Sequence, residues 1–112
     1  MDMQVAEIAQ GVARVVLKGR LDIQGAAKID LEFSAVAGSR RGVVVDMSEV
    51  TFLASIGIRV LVLGAKALQR RGGSLVLLSP TPDVEQVLEV TGITDLLPIM
   101  RDEAAAVAAV TA

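Results

Sequence analysis

The chain has 112 residues, a length typical of one domain, and a formal net charge of −2 with acidic and basic residues interspersed. It contains neither cysteine nor histidine, which excludes disulfides and thiolate metal sites and removes the most common general base and metal ligand. Because its acidic and basic residues are interspersed and its only aromatic residues are two phenylalanines, we expect no nucleic-acid partner, and no metal or cofactor is indicated.

The first third of the chain predicts two strands and a helix. Apolar runs at residues 5–8 and 12–17 read as short strands, separated by a turn at Gln10-Gly11. The segment 19–22 breaks the strand pattern, and a helix is predicted from about residue 24 to residue 36. Four apolar residues recur there at helical spacing: Ala26, Ile29, Phe33 and Val36.

The middle of the chain predicts a strand, a helix and a second strand. Residues 42–46 are continuous and β-branched, which indicates a strand buried on both faces, with Asp46 at its end. After a short link, a helix is predicted over residues 56–71, ended by Gly72-Gly73. Residues 74–78 form another apolar run and predict a second buried strand.

The last third predicts a helix, an edge strand and a final helix. Thr81 offers an N-cap, Pro82 suits the first helical position, and the helix is expected to stop at Gly92. Residues 96–99 suggest an edge strand, and residues 102–110 an alanine-rich helix. The order β-β-α-β-α-β-α predicts an α/β fold with a partly parallel sheet.

The apolar segments are too short to suggest a membrane protein. Lys66, Arg70 and Arg71 follow residues 60–63 too closely for a span of about 20 apolar residues. Residues 1–4 lack the basic start and apolar core of a signal peptide. We therefore expect a cytoplasmic protein with no membrane insertion.

Three stretches together resemble the STAS family, which is named for sulfate transporters and anti-sigma factor antagonists. They are residues 19–22, residues 45–58, and the pair Gly72-Gly73 followed by residues 87–93, in family order and at family spacing. The resemblance covers nearly the whole chain. It implies a single STAS domain over residues 1–112, with a mixed sheet of four to five strands packed by about four helices.

The resemblance also implies a regulatory function. An anti-sigma factor antagonist binds an anti-sigma factor and thereby frees a sigma factor, without being an enzyme. In the family the anti-sigma factor is often a serine kinase of ATPase fold, which switches partners when it phosphorylates the antagonist. The phosphorylated serine lies between the central strand and the next helix, and Ser55 falls on it, with Gly57 and Ile58 on the glycine and the aliphatic residue that follow.

Three positions depart from the family pattern around that serine. Ala54 replaces the usual acid, Ile56 replaces a small residue, and Arg59 stands where glycine is common. Ala54 and Ile56 favour an alternative within the family, a STAS subunit that is not phosphorylated and belongs to a larger complex such as a lipid-transport ATPase assembly.

The residues around Ser55 allow two roles for its hydroxyl. Ser55 immediately precedes an apolar helix, where a serine oxygen can cap free backbone amides and serve no other purpose. The same amides and helix dipole would stabilise a phosphate, so a cap and a phosphoacceptor are compatible roles.

The helix after Ser55 has two apolar faces. One gathers Ile58, Leu61, Val62, Ala65 and Leu68 and is needed for the sheet; the opposite face gathers Ile56, Val60, Leu63 and Ala67. Neighbouring helices, a second copy of the chain or a partner protein would each explain the second face. The partner hypothesis predicts a binding surface of eight residues: Asp22, Ala54, Ser55, Ile56, Gly57, Arg59, Val60 and Leu63.

Two aspartates allow further hypotheses. Asp22 lies in the loop that the family directs toward its partner, although capping of a nearby loop or helix would also explain it. Asp46 as a phosphoacceptor would suggest a phospho-receiver domain. That hypothesis is weaker, because neither an acidic pair after the first strand nor a lysine after residue 78 is present.

Overall fold

The computed structural model describes residues 1–111, which form five strands and four helices. In chain order they are β1 (Asp2–Ala9), β2 (Val12–Leu21), α1 (Ile23–Ser39), β3 (Gly42–Leu53), α2 (Ser55–Gln69), β4 (Ser74–Leu78), α3 (Pro82–Val90), β5 (Ile99–Met100) and α4 (Glu103–Thr111).

The five strands form one mixed sheet in the order β1-β2-β3-β4-β5. β1 is antiparallel to β2, and the other three pairs are parallel. When successive β-α-β connections have the same handedness and add their strands in the same direction across the sheet, their helices lie on the same face of that sheet. Accordingly, α1, α2 and α3 pack on one face, and α4 packs on the other.

The central strand β3 is covered on both faces, as its β-branched run predicts. Val43 and Val45 belong to the larger core beneath α1, α2 and α3, whereas Val44 packs with Ala106 and Val110 of α4. All three valines are completely buried. Alternate residues of this short run therefore pack into the two hydrophobic cores, one on each face of the sheet.

β3 is much longer than the sequence indicates. The predicted link after Asp46 is strand, and β3 continues to Leu53 because it pairs with an equally extended β2, in which Leu21 lies opposite Leu53. An irregularity in the register falls between the pairs Val16–Asp46 and Lys18–Glu49. The polar side chains of this extension are only partly covered, so its sequence lacks the continuous apolar pattern of residues 42–45.

Other element boundaries are confirmed or shift slightly. β4 spans the predicted residues, and α3 begins at Pro82 with the Thr81 hydroxyl accepting from the Val84 amide at 3.4 Å. The predicted edge strand is present, but it covers Ile99–Met100 and not residues 96–99, because Leu97 turns inward before it and is completely buried in the core.

Candidate partner-binding site

The junction between β3 and α2 is fixed by backbone hydrogen bonds at the carboxyl end of the sheet. The Ala54 amide donates to the Leu21 carbonyl oxygen at 3.0 Å, which ties the junction to the end of β2. The Ala54 carbonyl accepts from Gly57 and Ile58 at 3.0 and 3.1 Å and so begins the helix. Ser55 is therefore the first residue of α2.

Ser55 does not cap the helix, contrary to one of the two roles that its sequence position allows. The N-cap is Ala54, in an extended conformation, and its methyl side chain offers no acceptor to the first amides of α2. Ser55 is exposed, and no group within residues 1–111 forms a hydrogen bond with its hydroxyl. The hydroxyl of this exposed residue has no hydrogen-bonding partner in the described fold, so it can be contacted by another protein.

Gly57 is needed for packing at this junction. It is buried, and a Cβ at this position would lie 2.8 Å from the Leu21 carbonyl oxygen and closer still to the Leu21 side chain. Only glycine lets the first turn of α2 approach the end of β2 so closely. Gly57 has no side chain to offer a partner, and its role is to set the position of Ser55 and Ile56.

The second apolar face of α2 is partly covered by α1. Gly64 allows the two helices to pack closely, since a Cβ there would lie 2.6 Å from the ring of Phe33. Val60 is only 7% exposed, which corrects the expectation that it lies on an open face. Ile56 and Leu63 remain 38% and 51% exposed and contribute a shorter apolar surface than predicted.

The two helices form a shallow apolar groove between Ile56 and the start of α1. Its volume is about 240 Å³, and we call it the α1–α2 groove. Ile23, the first residue of α1, is 75% exposed beside it and was not predicted from the sequence as a site residue. The groove is lined by Ile23, Ala26, Ala27, Asp30, Ile56 and Val60.

The outer side of α2 carries only positive charges. The exposed charged residues there are Arg59, Lys66 and Arg70. At 3.6 residues per turn, Lys66 and Arg70 lie within about 20° of Arg59 around the helix axis, so the three side chains form a row along the helix. α2 contains no acidic residue, and none of these three cations forms an ion pair within the described chain. The apolar residues Ile56 and Leu63 lie beside this row, so the surface combines exposed aliphatic and positive groups.

Asp22 caps α1, as one of its two predicted roles requires. Its Oδ1 accepts from the Gly25 amide at 2.9 Å, and its Oδ2 accepts from Nε of Arg20 at 3.4 Å. The Gly25 hydrogen bond first, and the Arg20 guanidinium second, hold the pKa of this carboxyl below its ordinary value. The side chain stays partly accessible at the same end of the sheet as Ser55.

Arg20 and Phe52 also lie at the edge of the candidate site, and the sequence did not single them out. Arg20 of β2 lies opposite Phe52 of β3, in the part of β3 that the sequence pattern does not predict. Phe52 is 41% exposed, three residues before Ser55, and is a large aromatic surface at the rim of the site. The β-branched and aromatic residues Val50, Thr51 and Phe52, which favour strands, were the one signal that this segment continues as strand.

Asp46 does not occupy the position that a receiver domain would require. It lies inside β3 and not at its end, and its Oδ1 accepts from the Ser48 amide at 2.9 Å. The hypothesis that Asp46 ends a buried strand at an active site is therefore wrong.

No helix within residues 1–111 is both long and apolar enough to cross a membrane.

Comparison with known proteins agrees with the fold. The sequence matches the STAS domain over residues 4–106. The chain belongs to the STAS domain family.

Several relatives carry regulatory names. The chain is 33% identical over 100 residues to BtrV of Bordetella bronchiseptica, which is assigned as an anti-sigma factor antagonist, across 88% of this chain and 86% of that protein. An anti-sigma factor antagonist from Mycobacterium paratuberculosis superposes with a TM-score of 0.86 at 25% identity, covering 99% of this STAS chain and 94% of that one.

SpoIIAA of Bacillus shares the fold. Its unphosphorylated form superposes with a TM-score of 0.79 at 21% identity, covering 93% of this chain and 92% of that one. The structure of SpoIIAA is also known in a phosphorylated form.

Proposed function

We propose that this STAS protein is an anti-sigma factor antagonist, which binds an anti-sigma factor and thereby frees a sigma factor for transcription. The observation that carries the proposal is the exposed Ser55 hydroxyl, free of hydrogen bonds, beside the exposed side chains of Ile56 and Leu63. The names of its relatives support the same function. The protein would act by binding and not by catalysis, in the cytoplasm, where sigma factors work.

The proposed binding surface consists of the exposed residues around the start of α2. Ile56 and Leu63 would supply its apolar centre, and Arg59 and Asp22 its polar rim, as is typical of protein interfaces. Ala54 and Ser55 would lie between the centre and the rim. Gly57 and Val60 are buried and would support this surface from beneath.

The proposed regulation is phosphorylation of Ser55 by the anti-sigma factor, acting as a serine kinase of ATPase fold. A phosphate adds about −1.5 to −2 charges at neutral pH within the contact, beside its apolar centre. A partner carboxylate about 5 Å away would be repelled by roughly 3 kcal/mol per charge at an effective dielectric constant near 20. Such a penalty weakens binding by about a hundredfold or more, which is sufficient for a switch.

The proposal is tested by capture from the native cell. Unmodified protein is expected to retain an ATPase-fold kinase, whereas Ser55→Asp protein is not. Ser34→Asp, which places the same charge at an exposed serine on α1, is the matched control and should retain the kinase. With the captured kinase and ATP, the intact mass should rise by one phosphate, and Ser55→Ala should abolish that increase. Equal capture by the Ser55 and Ser34 variants would refute the switch, and failure of the unmodified protein to capture any such kinase would refute the function.

A second function is favoured by the residues around Ser55. Ala54 gives α2 no side-chain cap, and Ile56 places a large aliphatic group next to the hydroxyl. These features suit a STAS subunit that stays unphosphorylated in a larger complex, such as a lipid-transport ATPase assembly. Capture of transport subunits, with no gain in mass on incubation with ATP, would support this alternative.

A further inference from the structure

Arg59 lies one helical turn after Ser55 on the exposed side of α2. Side chains four residues apart on a helix are neighbours, with Cβ atoms about 5–6 Å apart. Arg59 is exposed, it forms no ion pair within residues 1–111, and α2 itself contains no acid. Its guanidinium group is therefore not committed to another carboxylate of the described chain.

Ser55 is placed to supply the missing negative charge once it is modified. It is the first residue of α2, exposed and free of hydrogen bonds. In an ion pair along a helix, an acidic group four residues before a basic one is the favourable order. A phosphate on Ser55 followed by Arg59 has this order.

We propose that Arg59 is the intramolecular counter-ion of a phosphate on Ser55. The inference rests on the proposed function, since it takes Ser55 as the modified residue. A guanidinium group pairs with phosphate oxygens through charge-assisted hydrogen bonds, often two at once. The pair keeps the phosphate doubly ionised near neutral pH and orders it against the first turn of α2.

The pair would change the binding surface in two ways at once. Phosphorylation adds negative charge at position 55, and the same event draws Arg59 away from the surface beside Leu63. An acidic group of the partner would then be repelled by the phosphate and would at the same time lose its attraction to Arg59. A single modification therefore has a larger effect on this surface than its own charge alone.

The test uses protein with phosphoserine incorporated at position 55 during translation, so that neither a kinase nor a partner is needed. The second pKa of the phosphate is measured by ³¹P NMR titration in the parent, in Arg59→Gln and in Lys66→Gln. Lys66 is the matched control, because it is another exposed cation of the same row. It lies about 16 Å from Ser55 along the helix, beyond the Debye length of about 8 Å at physiological salt. Four other charged residues near this end of the sheet are the same in all three proteins: Arg20, Asp22, Asp30 and Asp83.

In the parent, the second pKa is expected to lie below the value of about 6 for a free phosphoserine. Arg59→Gln should raise it by about 0.3 to 0.6 pH units, the effect of one charge about 5–8 Å away through water, since both side chains are exposed to solvent. Lys66→Gln should change it by less than about 0.1 pH units because of screening. No change in Arg59→Gln, or equal changes in both variants, would overturn the proposal.

A second measurement guards against poor incorporation of phosphoserine. Ser55→Glu should raise the melting temperature relative to Ser55→Gln, and the increase should shrink in the Arg59→Gln background. Neither measurement depends on partner switching, so the two proposals can fail separately. A kinase that leaves Ser55 unmodified contradicts the proposed function alone, whereas an unshifted phosphate pKa contradicts the ion pair alone.

Discussion

The guanidinium carbon of Arg20 lies 4.4 Å from the centroid of the Phe52 ring, where β2 and β3 pair near their carboxyl ends. The same guanidinium donates from Nε to Asp22, which caps α1 through the Gly25 amide. Arg20 thus connects the rim of the proposed site to the start of α1. A charged side chain stacked on an aromatic ring contributes about 0.5–1 kcal/mol at an exposed site.

Asp22 should make stability depend on pH at the acidic end. Its pKa is lowered in the folded state by the Gly25 hydrogen bond and by Arg20. Its stabilising effect is therefore present above the unfolded pKa of about 3.9 and is lost as the pH falls through the lower native value. Asp22→Asn keeps a cap acceptor but does not titrate. We expect it to be less stable than the parent above about pH 5 and to approach the parent as the pH falls below about 4.

Urea unfolding between about pH 2 and pH 6 measures this difference. The difference in stability between the parent and Arg20→Gln should depend less on pH than the difference between the parent and Asp22→Asn, because the Gly25 amide is the larger cause of the lowered pKa. A constant difference between the parent and Asp22→Asn at every pH would contradict this account.

Gly57→Ala should destabilise the protein by about 1–3 kcal/mol, the usual cost of overpacking. The added methyl group would meet the Leu21 carbonyl oxygen, which is backbone and cannot rotate away. Gly38→Ala is the control. It lies on an exposed part of α1 with open space around it, and it should stabilise the protein by up to about 1 kcal/mol. Chemical denaturation distinguishes the two, and a neutral Gly57→Ala would show that the junction can relax.

Ala54→Ser should stabilise the fold by about 1 kcal/mol, since it supplies the side-chain acceptor that α2 lacks at its N-cap. The same substitution in the middle of an exposed helix, Ala35→Ser, should cost roughly 0.5 kcal/mol because serine has a lower helix propensity. Equal effects at both positions, measured by thermal unfolding, would be inconsistent with Ala54 as the cap.

Leu63→Glu should abolish binding of the captured kinase and leave the thermal melt unchanged, because the side chain is half exposed and outside the core. Val90→Glu is the matched control: Val90 is 79% exposed on α3, away from the proposed surface, and this variant should bind normally. Binding that survives Leu63→Glu would remove this face of α2 from the interface.

The elements with strong local signals could be predicted from the sequence. Thr81-Pro82 starts α3 because a hydroxyl cap and a fixed proline φ act within one turn, and the run 74–78 is β4 because both of its faces are buried. The far half of β3 could not be predicted in this way. Its pairing with β2 is a long-range interaction, and its side chains alternate between core and solvent around an irregular register.

The exposed surface around the start of α2 was predicted in outline and not in detail. Helical periodicity correctly indicates that Ile56 and Leu63 lie off the sheet-facing side of α2. It could not show that α1 covers Val60, because that depends on the close approach of Gly64 to Phe33. The cap role that the sequence allowed for Ser55 lies one residue late, since an alanine at the N-cap is uncommon.

The most direct test is the affinity of the captured anti-sigma factor for the protein with and without phosphoserine at position 55, measured by isothermal titration calorimetry. If the hydroxyl at the start of α2 controls the interface, phosphorylation should weaken binding by about a hundredfold or more. Equal affinities for the two forms would contradict this role of Ser55.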